Sequence, residues 1–175
     1  ATLSARAWDT IRVQFQETVC FLQFNRPEAN NTINARLVAE CNEVLSQCEE
    51  SATVVVLSGS PEVFCFGADF KAIAARTAGM DEGDGPEPLY DLFLRLATGP
   101  YVTISHVRGK ANAGGVGFVG HHDVPPVVAV LAPVGHHVAR LGRVVRRPVH
   151  QRKAPPPAIN TSQLQVVKAH LHSLP

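Results

Sequence analysis

The chain of 175 residues changes character at Val119, and that break limits what it can fold into more than any single motif does. All eight Phe, both Tyr, Trp8 and all four Cys precede the break, while seven of the eight His and eight of the thirteen Pro follow it. Charge divides the same way. Residues 1–119 hold nine basic and fourteen acidic groups, a net of −5; residues 120–175 hold seven basic groups and Asp123 as their acid, a net of +6. The overall charge of +1 is therefore the sum of two unlike parts. A single globular domain rarely partitions its composition so sharply, and the two parts, 1–119 and 120–175, need separate readings.

Residues 1–119 carry the signals of an α/β domain. IRVQFQ (11–16) alternates apolar and polar side chains as a half-buried strand does, VCFLQF (19–24) continues it, and Glu17-Thr18 is the hairpin turn between them. Arg26-Pro27 ends the strand, because proline cannot donate to a ladder. A helix is expected from Ile33, capped by Asn31 or Thr32, with Leu37, Val38, Cys41, Val44, Leu45 and Cys48 on one face and Glu40, Glu43 and Glu50 elsewhere on the wheel. TVVVLS (53–58) reads as a strand covered on both faces, and strand, helix, strand in this order implies a right-handed parallel crossover. Past Gly59-Ser60-Pro61, a short extended piece meets Gly67 and a second helix begins near Asp69. Residues 77–88, with three Gly, two Pro and four acids, read as a mobile loop; a helix over 89–96, a strand over 101–108 and a glycine-rich helix start follow.

Several function classes fall away on these grounds. The near-neutral balance argues against a dedicated nucleic-acid or polybasic membrane binder. No stretch approaches the roughly 20 apolar residues of a membrane span, and the N-terminus turns polar too soon for a signal peptide. Cys20, Cys41, Cys48 and Cys65 show no CxxC pair or metal-ligand spacing, so they are expected as reduced core thiols of a cytoplasmic protein, with no metal. NAGGVG lacks the pattern of a phosphate-binding loop. What remains is the pairing of Gly67-Ala68-Asp69 with Gly114-Gly115, each glycine lying where a strand meets a helix start. Free backbone amides at two such places, facing one another, make an oxyanion hole; taken singly, each is also the spacing of a tight turn.

The segments RPEANNTIN (26–34), VVVLSGSPEVFCFGADF (54–70) and HVRGKANAGGVGF (106–118), in that order, resemble the crotonase, or enoyl-CoA hydratase/isomerase, superfamily. With EPLYDLFLRLATGPYVTISHVRGKANAGG they are most similar to its hydratase-like dehydratases of polyketide β-branching, over residues from about 10 to 119. The resemblance implies ββα repeats and a thioester substrate, 3-hydroxy-3-methylglutaryl on an acyl carrier protein or coenzyme A. No cofactor is implied beyond the phosphopantetheine or coenzyme A that carries the acyl group. It also implies oxyanion-hole amides at Ala68 and Gly115, and a substrate channel lined by Ala68, Asp69, Phe70, Lys71, Gly114 and Gly115. Loss of water through an enolate would give the 3-methylglutaconyl thioester. The chain departs from the pattern where many hydratases carry a glutamate after the glycine pair, a place taken here by Phe118. Neither Asp69, read as a helix cap, nor Asp123 replaces it, and the family's second acid falls in a later segment without a counterpart here. The family's homotrimer, assembled through C-terminal helices, is likewise not expected.

Residues 120–175 read as a basic, Pro/His/Arg-rich, irregular tail. VVAVLA (127–132) is a strand or a hydrophobic linker. His121, His122, Asp123, His136 and His137 offer metal ligands, but adjacent His pairs diverge. The Arg residues of 140–152 offer phosphate contacts, but no aromatic side chain interleaves for stacking. A solvated tail fits the Pro and charge content. The reading preferred here is translation of a GC-rich gene in a shifted frame after codon 119, which explains why three linked motifs stop between adjacent residues; NTSQLQVVKAHLHSLP (160–175) fits it least and suits a short helix. Without later ββα turns, the sheet is expected to leave apolar faces poorly covered.

Overall fold

A computed structural model describes residues 6–69, 87–112, 114–120 and 159–173. Strands β1 (Ile11–Gln16) and β2 (Val19–Phe24) form the expected antiparallel hairpin, with Glu17 in the left-handed region at φ 53° in the turn. Helix α1 (Ala35–Ser51) then leads to β3 (Val54–Ser58), parallel to β2. Beyond it lie β4 (Val63–Cys65), α2 (Glu87–Thr98), β5 (Val102–His106), β6 (Lys110–Ala111), α3 (Gly114–Gly120) and α4 (Thr161–Ser173). The main sheet runs β1-β2-β3-β5, and β4 pairs with β6 in a second, two-stranded parallel sheet.

The main sheet is buried on both faces, as the unbroken β3 run requires. One face packs Cys20, Leu22, Phe24, Val55 and Leu57 against Leu37, Cys41, Leu45 and Cys48 of α1 and Leu92 and Phe93 of α2. On this side Thr103 and Ser105 of β5 are buried, yet each hydroxyl donates to a carbonyl, Leu96 at 3.0 Å and Phe118 at 2.7 Å, so neither polar group is stranded. The four cysteines are buried free thiols.

The other face corrects an expectation. Val19, Phe21, Val54, Val56, Val102 and Ile104 are covered, because α4 lays Val167 on them with Val166 and Leu171 beside it. Within the tail, Thr161–Ser173 is thus a helix. Its start is a reciprocal cap: Asn160 Oδ1 accepts from Gln163 N and Gln163 Oε1 accepts from Asn160 N, both at 2.9 Å. Gln163 Nε2 also donates to Thr18 Oγ1 at 3.0 Å and to Thr53 Oγ1, which fixes the helix over the ends of β2 and β3. The expected helix from Asp69 onward, residues 77–86 of the loop, the 127–132 segment and the candidate ligands His121, His122, Asp123, His136 and His137 lie outside the described residues.

Helix α1 begins two residues later than expected. Its cap is Asn34, whose Oδ1 accepts from Leu37 N at 2.9 Å, not Asn31 or Thr32. Ile33 is drawn into an isolated parallel bridge with Ala68 and cannot turn into the helix. Glu40 also departs from the wheel: it is buried, and its carboxylate accepts from Thr10 Oγ1 (2.6 Å), Thr10 N (2.9 Å), Arg36 Nε (2.9 Å) and Asp9 N (3.1 Å).

These contacts give a pH dependence. Burial alone would raise the Glu40 carboxyl, but the Thr10 hydroxyl, the Asp9 and Thr10 amides and Arg36 outweigh it and hold the group below its ordinary value. A depressed carboxyl stabilises the fold above its unfolded value, about 4.3, and that contribution is lost as pH falls through the folded value. His106 is held below its ordinary value by burial first, then by Arg108 and His170; unfolding frees it to take up a proton, so acid costs stability from about pH 6.5 downward. We expect Glu40→Gln to unfold about 1–3 kcal/mol more easily at pH 7. In denaturant titrations the gap to the parent chain should close as pH falls below about 4; a gap independent of pH would contradict the assignment.

Candidate functional site

The site forms where the chain leaves β4. Phe64 and Cys65 are buried and anchor the strand. Gly67 then takes φ 86°, a left-handed turn that favours glycine. The next residues run beside the 30–33 segment: Phe66 N donates to Asn30 O (3.2 Å), Ile33 N to Gly67 O (2.7 Å) and Asp69 N to Ile33 O (2.9 Å). In such a ladder alternate residues face the neighbouring strand. Gly67 and Asp69 face Ile33, so the Ala68 N–H is turned the other way. Among the described residues it has no hydrogen-bond acceptor.

The start of α3 comes close to this turn. A methyl carbon placed on Gly114 would lie 3.6 Å from Gly67 Cα and 3.8 Å from Ala68 N. The two glycine segments, 46 residues apart when counted from Ala68 to Gly114, therefore meet in space. The second amide requires a correction. Gly115 N–H donates to Asn112 O at 2.8 Å, whereas Gly114 N–H has no acceptor among the described residues. Gly115 serves packing instead: a methyl carbon there would fall 2.1 Å from Cys65 O. Of the expected pair Ala68 and Gly115, the Gly115 amide is therefore already engaged, and the free amide of the two glycines among the described residues is that of Gly114.

The other expected residues divide. Asp69 sits beside the amide, but its carboxylate is held by Arg26 Nη2 at 3.1 Å, both side chains being largely buried. Phe70 and Lys71 lie outside the described residues. Phe118, at the place expected for the hydratase glutamate, belongs to the core, with its ring centroid 4.9 Å from Phe24 and 5.0 Å from Phe93. Cys65, close to the site, is no nucleophile: burial outweighs a bond to the Gly67 backbone and pushes its thiol up to about 11, so it stays protonated near neutrality.

Three residues hold this turn in roles that the sequence did not suggest. Asn31, left-handed at φ 52° and buried, accepts from Arg26 N (2.8 Å) and donates to Val63 O (3.0 Å) and Phe64 O (3.3 Å), tying the 26–34 loop to β4. Ile33 supplies the bridge, and Arg26 the ion pair. The signal available was the Asn30-Asn31 pair after Pro27, since Asn tolerates left-handed backbone; both residues adopt it.

Known proteins share this fold. The family model described as enoyl-CoA hydratase/isomerase matches residues 14–145, running past Val119. Bacillaene synthase dehydratase PksH of Bacillus subtilis is 60% identical over 119 residues, 67% of this chain and 46% of that protein. The crystal structure of the B. subtilis polyketide biosynthesis enoyl-CoA hydratase pksH superposes with a TM-score of 0.63 at 59% identity, covering 67% of this chain and 48% of that one. The probable enoyl-CoA hydratase echA8 of Mycobacterium leprae is 31% identical over 110 residues, 62% of this chain and 42% of its own. The chain spans about half the length of the curated relatives it matches.

Proposed function

Because the chain belongs to the enoyl-CoA hydratase/isomerase family, we propose that it is a cytoplasmic thioester dehydratase of polyketide β-branching. Its substrate in this reading is 3-hydroxy-3-methylglutaryl on an acyl carrier protein, with coenzyme A as an alternative carrier. The observation that carries it is the meeting of two unengaged amides, Ala68 and Gly114, across the gap between β4 and α3. The thioester carbonyl accepts both N–H groups. Its oxygen gains charge as a base takes the Cα proton; the enolate's electron pair then forms the Cα–Cβ double bond as the Cβ–O bond breaks, and the β-hydroxyl leaves with a proton as one water. Donors fixed in place before the reaction favour that enolate over the ground state, and one such donor is worth about 3–4 kcal/mol. The likeness to the dehydratase PksH over 67% of the chain supports the dehydratase reading.

A second reading is a protein that holds the thioester without turning it over. It is favoured by Phe118, which is core and not acid, and by Asp69, whose carboxylate is committed to Arg26. Incubation with 3-hydroxy-3-methylglutaryl-loaded carrier protein, read by mass spectrometry, separates the two. Loss of one water supports the dehydratase, and saturable binding without that loss supports the second reading. Neither binding nor loss of water overturns both.

A further inference from the structure

Arg26 ties together the two segments that present the Ala68 amide. Its guanidinium donates through Nη1 to the Thr32 carbonyl and through Nη2 to Asp69 Oδ2 at 3.1 Å. Thr32 and Asp69 are the chain neighbours of Ile33 and Ala68, the two residues of the bridge. That bridge is short, resting on the Ile33–Gly67 and Asp69–Ile33 backbone bonds, and an isolated pairing of this size is marginal without support. Arg26 is itself fixed, since its N–H donates to Asn31 Oδ1 at 2.8 Å and its carbonyl accepts from Asn31 N at 2.9 Å. The ion pair keeps only 13% and 14% of its side-chain surface exposed, so water and salt screen it little. A planar fork reaches two acceptors at once; an ammonium is a point charge without that geometry.

We propose that Arg26 is the positioning residue of the carbonyl-binding amide: one guanidinium clamps both sides of the Ile33–Ala68 bridge and so fixes where the Ala68 N–H points. The inference rests on the thioester reading above and deepens it. Arg26 touches no reacting atom. Its effect is transmitted through Asp69 and Thr32 to the intervening peptide, and an oxyanion donor acts only when held within hydrogen-bond distance of the developing charge.

The test uses the full chain, labelled with nitrogen-15, as the parent and as Arg26→Met and Arg26→Lys. Amide exchange at Ile33 and Asp69 reports the bridge. Acetoacetyl-CoA, whose enolate absorbs in the near ultraviolet, reports separately its affinity and the enolate fraction once bound. We expect R26M to speed exchange at both amides about tenfold and to lower the bound enolate fraction about tenfold, with R26K recovering exchange more than enolate. Unchanged exchange overturns the clamp. Faster exchange with a parental enolate fraction overturns its role at the carbonyl. Should R26M not fold, R26K decides by the same two readouts. If the parent chain shows no enolate band, the thioester reading falls and takes the functional half of the inference with it, while the exchange arm still upholds or overturns the clamp.

Discussion

Gly115→Ala is expected to unfold the site, whereas Gly114→Ala should leave the fold intact and weaken what the site holds. A methyl carbon on Gly115 falls 2.1 Å from Cys65 O and 2.8 Å from its carbonyl carbon. Nothing flexible lies there: Cys65 O also accepts Asn112 N at 3.0 Å, so a shift that relieves the clash breaks the tie between β4 and the turn into α3. Overpacking of this kind costs about 1–3 kcal/mol and the lost backbone bond about 1 kcal/mol more. For a chain this long that lowers Tm by roughly 5–15 °C. A methyl on Gly114 meets Ile33 Cδ1 at 3.1 Å, the end of a side chain that can yield, yet it stands 3.8 Å from Ala68 N, in the space proposed above for the thioester carbonyl. Scanning calorimetry and acetoacetyl-CoA titration of both variants check the pair. Equal melting temperatures, or unaltered titration by G114A, would contradict the division of roles.

Phe64→Ala carries the largest expected loss of stability. The ring is fully buried and meets Phe24 edge-on at 5.5 Å; Phe24 meets Phe118 at 4.9 Å, and Phe118 meets Phe93 at 5.0 Å. This chain of rings joins β4, β2, α3 and α2, so it sets the separation between the Ala68 turn and the start of α3. Truncating such a ring costs about 3–5 kcal/mol through lost transfer energy and the cavity left behind, against a usual total of about 5–15 kcal/mol. Phe64→Leu keeps most of the volume and should cost under about 1.5 kcal/mol. Urea titration followed by circular dichroism compares them. A loss below about 1 kcal/mol in F64A would mean that β4 is not held by this core.

The elements that repeat a simple period were legible in the sequence. The 11–24 hairpin, the apolar face of α1 and the β-branched β3 each depend on one face meeting a core, and the spacing of side chains encodes that directly. What was not legible depends on partners far along the chain. Glu40 looks like a solvated helix residue until Asp9 and Thr10 are folded over it. Thr32 and Ile33 look like a helix start until the 66–69 segment claims Ile33. The glycine pair does not say which of its two amides is engaged; that depends on the Gly115–Asn112 bond. Helix α4 was legible as a short helix within 160–175, but not its place on the sheet, which depends on Gln163 meeting Thr18 and Thr53 more than a hundred residues earlier.

If the Ala68 and Gly114 amides grip a thioester carbonyl as proposed, the carbonyl bond itself must change. Isotope-edited infrared spectroscopy of butyryl-CoA labelled with carbon-13 at that carbonyl observes the bond itself. Two added donors lengthen and polarise it, so the stretch of the bound thioester should move to lower frequency than in water, and G114A should return it most of the way. A ligand that saturates the protein with its carbonyl stretch unmoved would contradict the claim.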